Sequence, residues 1–271
     1  MESREIKELY LEELALLKRV QGYGETQPQE NLERVEKVTL LLLFRIFSNL
    51  YSALLLTTTA LKKQNMTFYQ LPIGIIVRCC FTDCLFALYI QRVGEKRANE
   101  ELELRTIEYA NSMLERKEVY RDQVKSAGLS DDDDFIDHIW ELTMEDNFLH
   151  LLSINVNEAK QGLEVTKRSK EQLKEDKFSY FKSVGIKEQK DFLIEQEGLE
   201  VVTKKLYHYY KYFSQYEHFS ENGQGDVLAT SKENANDNVH LPSAIKALSA
   251  GVEEVIRIRD ERSAARSPRN V

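Results

Sequence analysis

Ser214 and His218 stand four residues apart in Tyr212-Phe213-Ser214-Gln215-Tyr216-Glu217-His218. On a helix that spacing puts both on one face, within hydrogen-bonding reach, as a nucleophile is to its base. A hydrolytic triad demands more: a serine on a sharp exposed turn and an oxyanion hole of unused backbone amides. Amides in the middle of a helix are already bonded. The spacing therefore predicts a Ser214 bonded to its own helix or to a neighbour. It leaves His218 either capping carbonyls near the helix end or working beside a basic partner such as Arg78.

Arg78 belongs to a second set, a line of polar residues inside apolar sequence. Arg45, Asn49, Ser52 and Thr59 recur at steps of four, three and seven in one apolar stretch. Arg78, Thr82, Tyr89 and Arg92 share a line of the next. A buried guanidinium needs a carboxylate or several carbonyls. Asp83 is the one acid in the apolar part of that second stretch. Five residues separate it from Arg78, about 140° around a helix, a poor angle for pairing. Arg45 across the helical hairpin is the alternative partner for Asp83. Such polar groups either fix one packing of the helices, face solvent along a groove, or line a pocket between helices, where bundles place their sites.

The other chemically able residues read as structural. Cys79, Cys80 and Cys84 are the only cysteines, clustered within six residues. An odd count without CxxC spacing or a nearby histidine suits neither a disulfide framework nor zinc, so small reduced core side chains are expected. Asp131 to Asp134 are consecutive, whereas calcium loops alternate their acids around a glycine. Ser130 and these acids are read as the N-terminus of a helix, where carboxylates cap free amides and suit the dipole. His138, His150, His208 and His240 show no metal spacing. The aromatics from Tyr207 to Tyr216 are read as a packed face in preference to a base-stacking surface.

Helices must position these residues. Apolar residues at three- and four-residue steps (Ile6, Leu9, Tyr10, Leu14, Leu17, Val20) predict a helix over 3–21, stopped by Gly22 and Gly24. Two nearly solid apolar helices follow, about 31–63 and from Leu71-Pro72 to Ile90, with proline in the first turn of the second. Each is long enough to span a bilayer of ~30 Å, but Arg45, Arg78 and Asp83 make that costly, at least ~2.5 kcal/mol each. A core hairpin hidden in protein is the expectation. A charged helix over 94–126 follows, extending from the core or continuing the third helix, and ends at Gly128. Further helices are expected at 135–155, 158–177, 187–197, 199–219 and 242–262. A polar loop fills 220–241, and a basic tail at 263–271 is expected to be disordered. The arginines at 257, 259 and 262 are read as cations suited to a helix C-terminus.

The chain has 271 residues, 42% hydrophobic and 30% charged, with four prolines and eleven glycines. Few turn residues and long periodic stretches exclude sandwiches, barrels and propellers. The net charge of -8 disfavours general nucleic-acid binding, which needs clustered Lys and Arg, but allows a local basic groove. No signal-peptide pattern is seen near Met1, and a cytoplasmic location is expected.

Two elements resemble a group of uncharacterised bacterial all-helical proteins. The first reads Leu71-Pro72-Ile73-Gly74-Ile75-Ile76-Val77-Arg78-Cys79-Cys80-Phe81-Thr82-Asp83, an apolar helix with Arg followed by an acid. The second reads Tyr210-Lys211-Tyr212-Phe213-Ser214-Gln215-Tyr216-Glu217-His218, a Tyr-x-x-x-Ser-x-x-x-His element. The Ser-to-His spacing fits the group. The usual acid would fall on Thr82, one position before Asp83. In style the group is similar to HEPN helical proteins, many of them toxin or phage-defence ribonucleases. Those carry Arg four to six residues before His on one helix, and no histidine here has an arginine at that distance.

The expected architecture is all-α: a single bundle of roughly six to eight helices over 1–262, with long charged helices extending from the core. The expected function is a non-enzymatic helical interaction protein, a bacterial stress or phage-defence component acting through helix faces. Its partner would be another protein or a second copy, without a membrane, metal or cofactor. The alternative is a metal-independent HEPN-like ribonuclease. There Arg78, Asp83, Ser214 and His218 are the catalytic candidates, and nucleic acid is a partner only in that case.

Overall fold

The computed structural model describes residues 3–26, 32–66, 69–136, 183–214 and 240–266. All the regular structure among them is helical, so the all-α expectation holds. Seven helices are α1 (Ser3–Thr26), α2 (Arg34–Lys63), α3 (Gln70–Arg92), α4 (Glu95–Ser126), α5 (Ile186–Ile194), α6 (Glu200–Ser214) and α7 (His240–Arg266). The expected helix over 135–155 beyond residue 136, the expected helix over 158–177, and the expected loop over 220–241 up to residue 239 lie outside the described residues; residues 240 and 241 of that loop are already helical. Contacts group the chain into two compact units, one of residues 1–95 with 185–271, the other of 96–184.

The first unit is built on α3. Every residue from Asp83 to Gln91 is buried, so the second half of this helix is covered on all sides. That is why its sequence lacks a polar face. Helices α2, α5, α6 and α7 all pack on α3, while α1 lies against α2 and α7. By length and composition α2 and α3 could each cross a membrane; the apolar window of α3 is 72% buried within the protein, and that of α2 33%.

Helix ends follow sequence signals in most places. Gln64 closes α2 in the left-handed region, at φ 49°, with its N–H on the carbonyls of Ala60 and Leu61. Gly94, at φ 88°, lies between α3 and α4, so the two are separate helices and not one continuous rod. Pro72 and Pro242 occupy the third positions of α3 and α7, where no intrahelical donor is lost. Two boundaries differ from expectation. Helix α1 passes through Gly22 and Gly24 to Thr26, because neither glycine takes positive φ and Tyr23 between them is anchored to α7. Helix α7 runs four residues into the expected tail, to Arg266, where Ser263 Oγ donates to Glu36 Oε1 at 3.1 Å.

In the second unit, α4 carries a fully buried Glu101. Its carboxylate accepts from the Val184 N–H at 2.9 Å and from Arg105 Nε at 3.0 Å, while Arg105 Nη2 donates to the Val184 carbonyl at 3.0 Å. One i,i+4 pair thus holds both polar groups of a single peptide residue. Beyond α4, Asp132 Oδ1 accepts from the amides of Asp134 and Phe135, and Ser130 Oγ accepts from that of Asp132. The acidic run is a helix cap, as its spacing predicts.

Candidate functional site

Helices α3 and α6 meet through aromatic rings. Phe81 stacks on Tyr209 and Phe213, with centroids 5.9 and 6.3 Å away, and Tyr212 meets Phe213 edge-on at 5.1 Å. Phe81 and Phe213 are fully buried. The aromatic run is therefore chiefly the packing face of α6. It also fixes the register that brings Arg78 to Ser214.

Arg78 is half-buried on α3, one turn before Phe81. Its Nε donates to Ser214 Oγ at 3.1 Å, across 136 residues of sequence. Its guanidinium carbon lies 5.2 Å from the centre of the Tyr210 ring, a cation-π distance. Ser214 Oγ donates in turn to the Tyr210 carbonyl at 2.6 Å, and Thr82 Oγ1 to the Arg78 carbonyl at 3.3 Å. The Ser214 proton is thus committed to the helix backbone, and the oxygen accepts from a cation. A hydroxyl so held orients Arg78; it is not poised to attack a substrate. The arginine is thus held through its Nε and against one aromatic face.

Asp83 does not join this cluster. It is buried on the other side of α3, where Oδ1 pairs with Arg45 Nη2 of α2 at 3.4 Å. The 140° offset from Arg78 has this consequence. Of the four candidates, the fold brings Arg78 and Ser214 together, places Asp83 elsewhere, and leaves His218 outside the described residues.

Two of the three thiols are out of chemical reach, while Cys79 is half-buried. Cys80 and Cys84 are buried, and burial, helped by the nearby Asp83 carboxylate, pushes both thiols well above their ordinary range. Ser52, Thr58 and Thr59 on α2 donate to the carbonyls of Ser48, Leu54 and Leu55 four residues back. On the polar line of α2, Ser52 and Thr59 are bonded within their own helix, and Arg45 reaches across to α3. His208 is exposed on α6, edge-on to Tyr209. No group of three His, Cys, Asp or Glu side chains among the described residues is arranged to hold a metal ion.

Besides Glu36, three buried charged residues escaped the sequence reading. Glu13 is fully buried and Arg259 is 2% exposed. Arg259 Nη1 donates to Tyr23 Oη at 2.7 Å, and Tyr23 donates to Asp260 Oδ1 at 2.6 Å. Burial first, and then the bond to Asp260, push the Tyr23 phenol up to about 12. Glu101 is the third. Two carried a signal, since Glu13 sits on the stripe of Ile6, Leu9 and Leu16, and Arg259 on that of Leu248, Val252 and Val255.

Comparison of the chain with protein-family models, with curated proteins and with solved structures finds no match.

Proposed function

We propose that this is a non-enzymatic helical protein that works by docking a partner on the outer face of α2. One observation carries the reading. Phe44, Tyr51 and Leu55 are 49%, 51% and 53% exposed, on one face of a helix whose opposite face is core. Solvent-facing apolar side chains that cluster, unlike scattered ones, mark interaction surfaces. The bonded state of Ser214 and the burial of Cys80 and Cys84 support the same reading, because each is held away from nucleophilic work. The resemblance to helical bacterial proteins is what suggests a cytoplasmic stress or defence role for such docking.

A photo-crosslinking residue in place of Tyr51, expressed in cells, tests it. The expected result is a discrete crosslinked species that is absent when the same residue replaces exposed Lys18 on α1. Indistinguishable patterns from the two positions would sink the reading.

The Arg78–Ser214 contact favours a second reading, the HEPN-like ribonuclease. Arg78 would steady developing phosphate charge and His218 would transfer the proton. RNA cleavage abolished by both Arg78→Ala and His218→Ala, without loss of folding, would establish it and displace the docking reading. No cleavage by the unaltered protein of single-stranded, duplex or transfer RNA would remove it.

A further inference from the structure

The outer face of α2 carries more than three exposed apolar side chains. Lys37, Leu41, Phe44, Ser48, Tyr51, Leu55, Thr58 and Lys62 follow one another at alternating steps of four and three. Six of the eight are exposed, and Leu41 and Thr58 are half-buried. Alternating fours and threes give a 3.5-residue repeat, the period of a seam between two helices that wind around each other. A flat surface such as a lipid bilayer asks for no such period. The Thr58 hydroxyl is bonded to the Leu54 carbonyl at 2.7 Å, so covering it strands no donor.

The row is also complementary to itself when reversed. Laid antiparallel about a two-fold axis midway between Ser48 and Tyr51, Tyr51 of one copy faces Ser48 of the other. Phe44 then faces Leu55, and Leu41 faces Thr58, so at the centre a large side chain meets a small one. This is the isologous relation that a two-fold interface requires. Charge favours the same direction. Glu36, the one acid within α2, is buried, while Lys62, Lys63 and Glu33 are exposed. The antiparallel register puts Glu33 of one copy one turn from Lys62 and Lys63 of the other. A parallel register would stack Phe44 on Phe44 and each lysine on its equal, with Glu33 far from Lys62 and Lys63. Lys37 and Lys62 do face each other across the antiparallel seam. They lie about 19 Å from its centre, at the rim, where long side chains turn their heads to water.

We propose that a second copy of this chain occupies the face, through an antiparallel α2–α2 seam centred between Ser48 and Tyr51. The inference rests on the docking reading of α2 and names its partner. From Lys37 to Lys62 the seam is about 39 Å long on a helix roughly 10 Å across. It therefore offers several hundred Å² per copy, below the ~800 Å² per partner of a standard interface. The dimer is accordingly reversible, forming in the range of roughly micromolar to tens of micromolar.

Sedimentation velocity of the full chain from ~1 to ~200 µM tests the association. The expected result is a shift from monomer to dimer across that range. Leu55→Glu should weaken the dimer at least tenfold while its far-ultraviolet circular dichroism and melting temperature stay unchanged, since Leu55 is exposed. Register is read in a Cys79→Ser background. Chains carrying Phe44→Cys mixed with chains carrying Leu55→Cys should form a mixed disulfide. Phe44→Cys alone should not, because its own copy lies about 16 Å away along the seam. A chain that stays monomeric at ~200 µM overturns the proposal, and so does efficient self-crosslinking of Phe44→Cys. A monomer that still crosslinks a different protein from Tyr51 would overturn self-association and leave the docking reading standing. A monomer that floats with phosphatidylglycerol vesicles would overturn it in favour of a lipid surface.

Discussion

Glu13 has lost all contact with water, and no hydrogen-bond partner reaches either carboxylate oxygen. The Thr57 hydroxyl of α2 is its polar neighbour, but it too is buried outside hydrogen-bond geometry. Burial pushes the carboxyl up to about 8, from an ordinary value of 4.5. The charges between α1 and α7 are spent on each other: Lys246 on Glu8 and Glu12, and Arg19 on Glu253. The folded protein therefore keeps a proton that the unfolded chain releases above pH 4.5. Below 4.5 both states hold it, and stability is unaffected. Between 4.5 and about 8 stability falls as pH rises, by roughly 3 kcal/mol at pH 7, and above 8 the loss is complete. Glu13→Gln mimics the protonated acid and removes this slope. In urea unfolding, the variant should match the parent near pH 4.5 and exceed it increasingly up to pH 8. Parallel curves over that range would show that the carboxyl is not held protonated.

Gly251 marks the tightest meeting of helices. A Cβ there would stand 2.7 Å from Cys84 Sγ and 2.9 Å from both methyl carbons of Leu206, all in the core. Alanine is favoured over glycine in a helix by roughly 1 kcal/mol, but forcing a methyl between α3, α6 and α7 costs about 1–3 kcal/mol. Since Cys84 and Leu206 are fully enclosed, overpacking should win. Gly251→Ala is expected to lose about 1–2 kcal/mol in chemical denaturation, and adding Leu206→Val should restore much of it. A Gly251→Ala protein more stable than the parent would mean that the three helices separate easily. The close approach leaves no trace in the sequence, because a glycine between Ala250 and Val252 reads as a plain helix weakness. Helix α3 was legible as the core, because a helix enclosed on all sides lacks a polar face, whereas α2 reads just as apolar although its apolar window is only 33% buried. So was the pairing of Asp83 with Arg45, because helical angles forbid Arg78. The meeting of Arg78 with Ser214 was legible only as two elements with chemistry in them; what joins them is the ring packing of Phe81, Tyr209 and Phe213. Glu13 was passed over and Arg259 was read as a helix-end cation, although each falls on the apolar stripe of its helix.

The two ends of the chain close the first unit together. Tyr23 near the end of α1 meets Arg259 and Asp260 of α7, and the Arg259 guanidinium lies 5.6 Å from the centre of the Tyr23 ring. One turn on, Arg262 Nη1 donates to the Gln91 carbonyl at 2.7 Å, capping α3, and Ser263 reaches Glu36 at the start of α2. Four helices are thus tied by contacts that span more than 160 residues of sequence. Such closures repay their chain entropy only when the whole unit forms, so they should act as one cooperative set. Tyr23→Phe removes the hydroxyl that joins Arg259 to Asp260, and Arg259→Met removes the cation while keeping much of the packing volume. If the cluster works as a unit, the double variant should lose less than the sum of the singles, with a coupling of about 1–2 kcal/mol. Additive losses would make Tyr23 and Arg259 independent, each held by its own surroundings. The distinction is read from unfolding at neutral pH, where the Tyr23 phenol, pushed up to about 12, keeps its proton in both states. Closure by this cluster also explains why α1 does not stop at Gly22: ending there would free Tyr23 and leave the buried Arg259 facing a gap in place of a hydroxyl and a ring.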